Sequence, residues 1–367
     1  MRVADGMDSG RLMFIDLLKA VGSQLIVLHH LAFYGPMSDW THRLAPELVT
    51  WFSQDARMAV QVFLVVAGFL AARSLAPGGV LRAPSPLGQL GQRYVRTALP
   101  YVASLGVAMV CTELARLWMA HDSVSAPPGL WQFISHALLL HTLLDVDSLS
   151  AGVWYVAIDF QLYALLLGLL WLARRQHAVG AWARALVVVV VAASLLHFNR
   201  DSDWDSWALY FFGAYGLGAL TWWATHSDEA WRSGRWLLGA LVALTLLALA
   251  IDFRERIALA LAVCLALACS QRQGWLFTWP RSRVVAYLSR ISYSVFLLNF
   301  PIALVVNALF TRYGSANETV QTAGVLLAWL ACNLAGALFH HGVEQPLGRL
   351  GRRREPATQT GTTLSAR

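Results

Sequence analysis

The sequence predicts an all-α polytopic integral membrane protein with about ten transmembrane helices and both termini in the cytoplasm. Hydrophobic residues make up 57% of the 367 residues, charged residues make up only 13%, and the mean hydropathy is +0.52. A soluble domain carries about 25% charged residues. The formal charge of +7 comes from 27 Arg and one Lys dispersed between apolar stretches, which is typical of membrane loops. These observations exclude a water-soluble globular enzyme, a disordered chain and a nucleic-acid-binding module.

Apolar windows close to 20 residues long, enough to cross about 30 Å of hydrocarbon, recur ten times. They cover residues 12–34, 56–76, 97–119, 152–173, 180–198, 206–225, 236–252, 256–270, 284–310 and 321–343. The first window is too long for a cleaved signal peptide, and no small-residue cleavage site follows it. We therefore expect one transmembrane domain, residues 1–348, followed by a basic and polar cytoplasmic tail, residues 349–367.

The arginines predict the orientation, because cytoplasmic loops of membrane proteins are enriched in Lys and Arg. With the N-terminus inside, ten spans place 20 of the 27 Arg on the inner side and 7 on the outer side. The apolar stretch Trp131–Leu144 would, as an eleventh span, leave 10 basic residues inside and 17 outside. We therefore interpret this stretch as an interfacial or re-entrant segment on the outer side.

The first span carries ionisable residues, which are costly at membrane depth and indicate function. At about 100° per residue, Asp16, Lys19 and His30 share one face of a helix, whereas His29 lies about 80° away. Lys19 and His30 are separated by about 16 Å along the axis. A packing seam with a snorkelling lysine and a satisfied histidine is the alternative interpretation. Because histidine commonly transfers protons near neutral pH, we favour the functional interpretation, without choosing between the two histidines on geometry.

Charged residues also mark the third and fourth spans. Arg93 and Arg96 lie three residues apart before the third span, where they are either positive-inside anchors or a clamp for a phosphate-bearing ligand. Asp159 lies about seven residues into the fourth span, beside Gln161. A carboxylate at that depth needs a partner, for which a histidine or a basic group is the obvious expectation.

Two further polar positions lie near the end of the chain. Asn299 comes two residues before Pro301, a helix-kinking residue. Glu344 ends the last span, immediately before the basic tail, and we expect it to pair with a nearby arginine at the interface.

These residues resemble the motifs of the membrane-bound acyltransferase-3 family. Its opening motif has an acidic residue, a basic residue three later and a histidine eleven beyond that, which Asp16, Lys19 and His30 match. The family usually has Arg at the position of Lys19. Arg93 and Arg96 match its R-x-x-R motif, which is associated with acyl-CoA recognition on the cytosolic side.

The resemblance extends over about residues 12–348, in family order. Phe63–Leu70 is similar to the second-span pattern, and residues 154–163 resemble a fourth-span motif in which a Glu is usual at Asp159. Residues 291–301 resemble a ninth-span motif in which a histidine often occupies the position of Asn299. The sequence GVEQP, at 342–346, resembles the closing motif. Because no extracellular hydrolase-like domain follows the last span, the chain resembles the stand-alone form of the family.

The resemblance implies a transferase of the inner (cytoplasmic) membrane. It would move an acyl group from cytosolic acyl-CoA to a hydroxyl of an envelope polysaccharide or glycolipid, without a metal. Acetyl is the leading candidate for this acyl group. The implied partners are membrane lipid and the carbohydrate or glycolipid acceptor, not nucleic acid. The implied roles are catalysis for His30 and Asp159, acyl-CoA binding for Lys19, Arg93 and Arg96, and support for Asp16, Gln161 and Glu344. Asp159 would orient the imidazole of His30, which would act as a base or as a nucleophile.

A proton-coupled transporter is the alternative from another class, with Asp16, Lys19, His30 and Asp159 as a proton relay. The sequence shows no repeated halves and no matching pair of Gly/Pro-broken spans, which many carriers have. N-acetylation of an amino sugar is a second enzymatic alternative. The sequence does not choose between direct transfer and a covalent acyl relay.

Overall fold

A computed structural model of the protein describes residues 10–82 and 85–352. The described residues are predominantly helical and contain no β-strand, which confirms the all-α fold class. We number the long helices in chain order: α1 Met13–Phe33, α2 Ala59–Leu75, α3 Pro86–Trp118, α4 Trp154–Ala173, α5 Val179–Leu196, α6 Ala208–Thr225, α7 Asp228–Ile251, α8 Glu255–Arg272, α9 Arg283–Tyr313 and α10 Glu318–Phe339.

Eight helical segments of the described chain are long and apolar enough to cross a membrane. They are Met13–Phe33, Pro46–Leu75, Pro86–Trp118, Trp154–Ala173, Val179–Arg200, Trp231–Ile251, Arg283–Tyr313 and Glu318–Arg349. The other two predicted windows also form helices, α6 and α8, but these are not among the eight. The protein is therefore a polytopic membrane protein, whereas the count of ten spans and the cytoplasmic termini stay predictions.

The apolar stretch Trp131–Leu144 does not form an eleventh span. Its helix, Leu130–Ala137, has eight residues, about 12 Å of rise, which is too short to cross the hydrocarbon. The hydroxyl of Tyr94 on α3 donates to the carbonyl of Ala137 at 2.6 Å, and Leu139 is buried. The segment therefore packs into the helix bundle. Most of the predicted tail, from residue 353 onward, lies outside the described residues.

Helix α3 begins eleven residues before its predicted apolar window. The hydroxyl of Ser85 accepts a hydrogen bond from the amide of Gly88 at 3.2 Å, and Pro86 occupies the first turn, where its missing N–H costs nothing. Because the helix starts here, Arg93 and Arg96 lie on a continuous helix and present their side chains about 60° apart.

Helix α6 is the most completely enclosed helix of the described bundle, with every residue of Tyr210–Thr225 buried. Two glycines allow its backbone to touch that of α2. A Cβ atom on Gly68 would lie 1.8 Å from the carbonyl oxygen of Tyr215, and one on Gly218 would lie 2.0 Å from that of Val65. Small residues of this kind let membrane helices approach closely and pack by van der Waals contact.

Candidate functional site

Helix α9 runs along the whole candidate site. Successive residues of this helix contact the different elements that carry the predicted site residues. Its contacts, from the start of the helix, join Ser289 to Asp16, Tyr293 to Thr97, Ser294 to Glu344, Phe296 to Tyr155 and Asn299 to His30. Ser289 and Asn299 are ten residues apart, about 15 Å of helix rise. The site therefore extends lengthwise through the bundle, from a charged end at the start of α1 to His30 near its other end.

His30 is held by one side chain, Asn299, whose Oδ1 contacts the Nδ1 atom of the imidazole. The Nδ2 atom of Asn299 donates to the carbonyls of Val295 and Phe296, at 3.2 and 2.8 Å. These two bonds fix the orientation of the amide, so its oxygen must face the histidine. The proton of the neutral ring therefore lies on Nδ1, and Nε2 keeps its lone pair.

The surroundings of His30 are apolar and tight. The side chain is buried, and the rings of Tyr34 and Phe300 approach it edge-on, with centroids at 5.6 and 6.2 Å. Gly152, which has a φ of +83°, lies so close that a Cβ atom there would be 3.3 Å from Cε1 of His30. His29 instead contacts the carbonyl of Phe52 through Nδ1 at 3.2 Å. The two adjacent histidines thus have different environments.

Asp159 pairs with Arg93 and not with His30. The distance from Nη2 of Arg93 to Oδ2 of Asp159 is 2.5 Å, and the exposed fractions of the two side chains are 30% and 9%. The guanidinium also lies over the ring of Tyr163, with its Cζ atom 5.0 Å from the centroid. A buried carboxylate is stabilised most by a permanently charged cation within reach. The expectation that Asp159 orients the His30 imidazole is therefore wrong, whereas the expectation of a basic partner for Asp159 is met.

Charged groups gather where α1 begins. Oδ2 of Asp16 lies 2.6 Å from Nε of Arg11, and Oδ1 accepts a hydrogen bond from Ser289 at 2.6 Å. The half-buried Lys19 lies within electrostatic reach of Asp16, Glu344 and Arg96. Three basic side chains thus share this end of the bundle with two carboxylates, and Arg96 is exposed there.

Within the described part of the chain, Glu344 is held by a local turn. The chain from His340 to Glu344 forms a π-helical turn, in which Nδ1 of His340 lies 2.9 Å from Oε2 of Glu344. The same oxygen accepts a hydrogen bond from Ser294 at 2.5 Å. The described residues thus give Glu344 a histidine and a serine as partners, where an arginine was expected. Single π-turns change the spacing of side chains along a helix and often occur at functional sites.

Gln161 connects α4 to two neighbouring segments. Its Nε2 atom donates to the hydroxyl of Thr142 at 3.0 Å, and its Oε1 atom accepts from the amide of Ala208 at 3.1 Å. Gln161 therefore fixes the segment after Ala137 against the first residue of α6. Among the described residues, the structure gives it a supporting contact and no contact with His30.

Four residues of the His30 environment, Asn299, Gly152, Tyr34 and Phe300, were outside the predicted set. Asn299 was noted beside Pro301 and at a motif position where the family often has a histidine, but it was given no role. A polar side chain beside a kink at membrane depth could have indicated a partner for a buried histidine. Gly152 gave no signal, because its contact with His30 depends on how α4 is placed against α1.

The fold and the site define an all-α membrane protein with an enclosed imidazole, whose Nε2 is free to accept a proton, and a cluster of cations at one end of the bundle. A family model described as an acyltransferase domain matches residues 13–339, which is nearly the whole chain. The chain therefore belongs to the acyltransferase-3 family and is a membrane acyltransferase. Comparisons with curated proteins and with solved structures find no match.

Proposed function

We propose that this protein is an O-acyltransferase of the inner membrane. It moves an acyl group, for which acetyl is the leading candidate, from cytosolic acyl-CoA to a hydroxyl of an envelope polysaccharide or glycolipid. The observation that supports this most is the contact between His30 and Asn299, which places the proton on Nδ1 and leaves Nε2 as a base. A neutral imidazole in a site that excludes water suits general base catalysis on an alcohol.

The proposed reaction uses His30 as a proton carrier. The acceptor hydroxyl gives its proton to Nε2 while its oxygen forms a bond to the carbonyl carbon of the thioester. The carbon–sulfur bond then breaks, and the sulfur of CoA takes the proton from the imidazolium. The products are an ester and free CoA, and His30 returns to its initial state.

The charged end of the bundle suits the nucleotide part of the donor. Lys19 and Arg96 would contact CoA phosphates there, since cations bind phosphate at close range. About 16 Å of helix rise separates Lys19 from His30. The pantetheine arm of CoA is long and flexible, so that its thioester can reach His30 while its phosphates stay at this end.

Arg93 would act in a different way from Arg96. Its Nη2 atom is engaged by Asp159, and its Nε atom is buried without a hydrogen-bond partner in the described chain. We propose that the Arg93–Asp159 pair lines the path of the donor and provides N–H groups for it. In this proposal Asp159 is a positioning residue that acts through Arg93.

The test is transfer of labelled acetyl in a reconstituted system. The purified full chain in liposomes receives radiolabelled acetyl-CoA and envelope glycan from cells that lack the gene. We expect label in the glycan together with release of CoA. His30→Ala should lower the rate by about 10²–10⁴-fold, the usual contribution of general acid–base catalysis. His29→Ala is the matched control and should lose far less.

The outcome separates the competing functions. A proton-coupled carrier would release no CoA and would be unaffected by acetyl-CoA. Label on an amino group would favour N-acetylation of an amino sugar. Label trapped on the protein in the absence of acceptor would make His30 a nucleophile in a covalent relay. A His30→Ala protein with near-normal transfer at an equal amount of protein would refute the proposed catalytic centre.

A further inference from the structure

A polar cavity lies beside the N-terminus of α4, outside the contacts described above. Its volume is about 360 Å³, within the size range of small-ligand sites. Polar side chains dominate its lining, and the aromatic rings of Trp154 and Phe211 form an apolar wall. The polar lining consists of His141, Thr142, Asp145, Asp147, Ser148, Asp205 and Ser206.

The cavity has the chemistry that recognises a sugar ring. Carboxylates and hydroxyls accept and donate hydrogen bonds to vicinal hydroxyl groups. The rings of Trp154 and Phe211 stack on each other, with centroids 5.5 Å apart and an interplanar angle of 28°. Phe211 is buried behind this stack, so the half-buried Trp154 offers the ring face for the C–H side of a sugar. Asp145, Asp147 and Asp205 would repel a phosphate group, and so the cavity is unsuitable for CoA.

His141 provides a second and independent indication of a ligand. Its side chain is 1% exposed, and neither ring nitrogen has a hydrogen-bond partner in the described chain. Its ring stacks on His136 at 3.9 Å, and burial lowers the pKa of His141 to about 3, so that the ring is neutral at physiological pH. Buried polar atoms without a partner are rare in native proteins. Both nitrogens are covered by protein in this structure, so a ligand hydroxyl reaches them only when the surrounding loop shifts.

His136, on which the ring of His141 stacks, has hydrogen-bond partners for both of its ring nitrogens. The unpaired nitrogens are therefore a feature of His141 and not of the whole histidine pair. Nδ1 of His136 contacts the carbonyl of Gln132 at 2.8 Å, and its Nε2 accepts from the amide of Leu149 at 3.1 Å. The His136 ring thus fixes the loop that carries Asp145 and Asp147. Gln161 fixes the neighbouring Thr142. Hydrogen bonds from His136 and Gln161, which do not line the cavity themselves, therefore hold the wall of the cavity in place.

The cavity is close to His30 along the chain. Trp154, which forms part of its wall, comes two residues after Gly152, the residue that lies against Cε1 of His30. The first residues of α4 therefore connect the proposed base to the cavity.

We propose that this cavity binds the acceptor as a sugar ring that carries no negative charge, with Trp154 against its face and Asp145, Asp147 and Asp205 on its hydroxyls. The proposal rests on the proposed acyltransferase function and adds the place and the charge of the acceptor. Anionic sugars are disfavoured because three carboxylates surround the cavity.

The test measures binding and transfer separately on the full chain in detergent. Calorimetry without acyl-CoA compares three oligosaccharide probes: neutral gluco-oligosaccharides, chitosan oligomers as cations and oligogalacturonides as anions. We expect the neutral or cationic probes to bind and the anionic probe to bind at least about tenfold more weakly. The Asp145→Asn/Asp147→Asn/Asp205→Asn variant should weaken binding of the neutral probe at least about tenfold, because hydrogen bonds to charged groups are stronger than those to neutral amides.

Asp203→Asn is the matched control, because Asp203 lies in the same loop as Asp205 but does not line the cavity. It should bind every probe as the unchanged protein does. In the transfer assay the triple variant should raise the KM for the glycan and leave the KM for acetyl-CoA unchanged. Preferential binding of the anionic probe, no binding of any probe, or equal KM values for the triple variant and the control would overturn the proposal. Failure of the proposed function would instead abolish transfer by the unchanged protein.

Discussion

Asn299 has more influence on the candidate catalytic centre than any residue except His30, because its amide determines which ring nitrogen carries the proton. The amide cannot turn over without losing its two bonds to the backbone of α9. A histidine at this position, as the family often has, could also accept from Nδ1 of His30. Nδ1 of His30 thus needs a hydrogen-bond acceptor of fixed orientation, and the amide of Asn299 provides one without adding a charge.

We expect Asn299→Ala to lower kcat by about 10–100-fold, the usual effect of removing a partner that orients a functional histidine. The protein should still insert and fold. The readout is kcat in the liposome assay, with the KM for acetyl-CoA nearly constant. Asn307→Ala is the control on the same helix: Asn307 bonds to the amide of Met37, and its loss should reduce thermal stability without affecting kcat. Equal kcat values for the two variants would contradict the proposed role.

The Arg93–Asp159 pair leads to a second prediction at this scale. Breaking a buried ion pair leaves a charge without its partner and costs about 3–5 kcal/mol. Asp159→Asn and Arg93→Gln should therefore each lower the melting temperature in detergent. The double variant should recover most of the stability, because two neutral amides can still bond, but its KM for acetyl-CoA should remain high. Asp159→Glu should retain activity. Normal acetyl-CoA binding by the double variant would show that the pair is only structural.

At the scale of elements, the segment between α3 and α4 combines a short helix with a stacked histidine pair. Burial lowers the pKa of His141 to about 3, below its unfolded value of about 6.5. Because the folded pKa is depressed, the neutral ring favours the folded segment above about pH 6.5. That contribution decreases as the pH falls from 6.5 towards 3.

We therefore expect amide hydrogen exchange of residues 130–149 to become faster when the pH is lowered from 7 to 5, once the measured rates are corrected for the pH dependence of intrinsic exchange. His141→Phe keeps the ring stack and removes the titrating group. In that variant the change of the corrected rates between the two pH values should be clearly smaller, with a remainder from His136, whose pKa is also lowered by burial. A pH effect of the same size in His141→Phe would assign the effect to other groups.

Two glycine substitutions, one at the contact between α2 and α6 and one on an open face of α3, should have opposite effects on stability. Gly218→Ala places a Cβ atom 2.0 Å from a carbonyl oxygen on α2, and so it should force the helices apart and lower the melting temperature by several degrees. At Gly106 on α3 nothing lies within 4 Å of the new Cβ. Gly106→Ala should therefore raise stability slightly, by up to about 1 kcal/mol, through the higher helix propensity of alanine.

The elements show which structural features a sequence pattern can predict. All ten apolar windows became helices, because continuous apolar stretches must satisfy their backbone hydrogen bonds within themselves in lipid. The start of α3 was misplaced, since the capping bond of Ser85 lies in polar sequence that an apolar window omits. The π-turn at His340–Glu344 was also missed, because it depends on the contact of Glu344 with Ser294 on another helix.

At the scale of the whole molecule, the two ends of the candidate site carry opposite charges. Basic groups gather where α1 begins, the imidazole lies near the other end of α1, and an acidic cavity lies beyond Gly152. Single residues such as His30 and Asp159 could be picked out from the sequence, because charges in apolar surroundings are conspicuous. Their partners could not, since pairing depends on how separate helices are placed against one another.

The predicted orientation can be checked with reporter fusions. Because 20 of 27 arginines lie on the predicted inner side, fusions after residue 90 and at the C-terminus should report the cytoplasm. A fusion near residue 203 should report the outer side. The same experiment decides whether the acidic cavity faces outward, as an envelope acceptor requires. An external C-terminus would overturn the ten-span topology.

The enclosed helix α6 has a consequence for biosynthesis. Its tyrosines, tryptophans and glycines are buried against protein, but α7 and α8, which cover part of it, are synthesised only after α6 has left the ribosome. We expect such a segment to partition poorly into lipid alone. Helix α2 precedes it in synthesis and already presents the surface around Gly68. The glycine contact would thus guide insertion before it stabilises the finished enzyme, and a chain with a bulky residue at Gly68 should leave α6 outside the bilayer during translation.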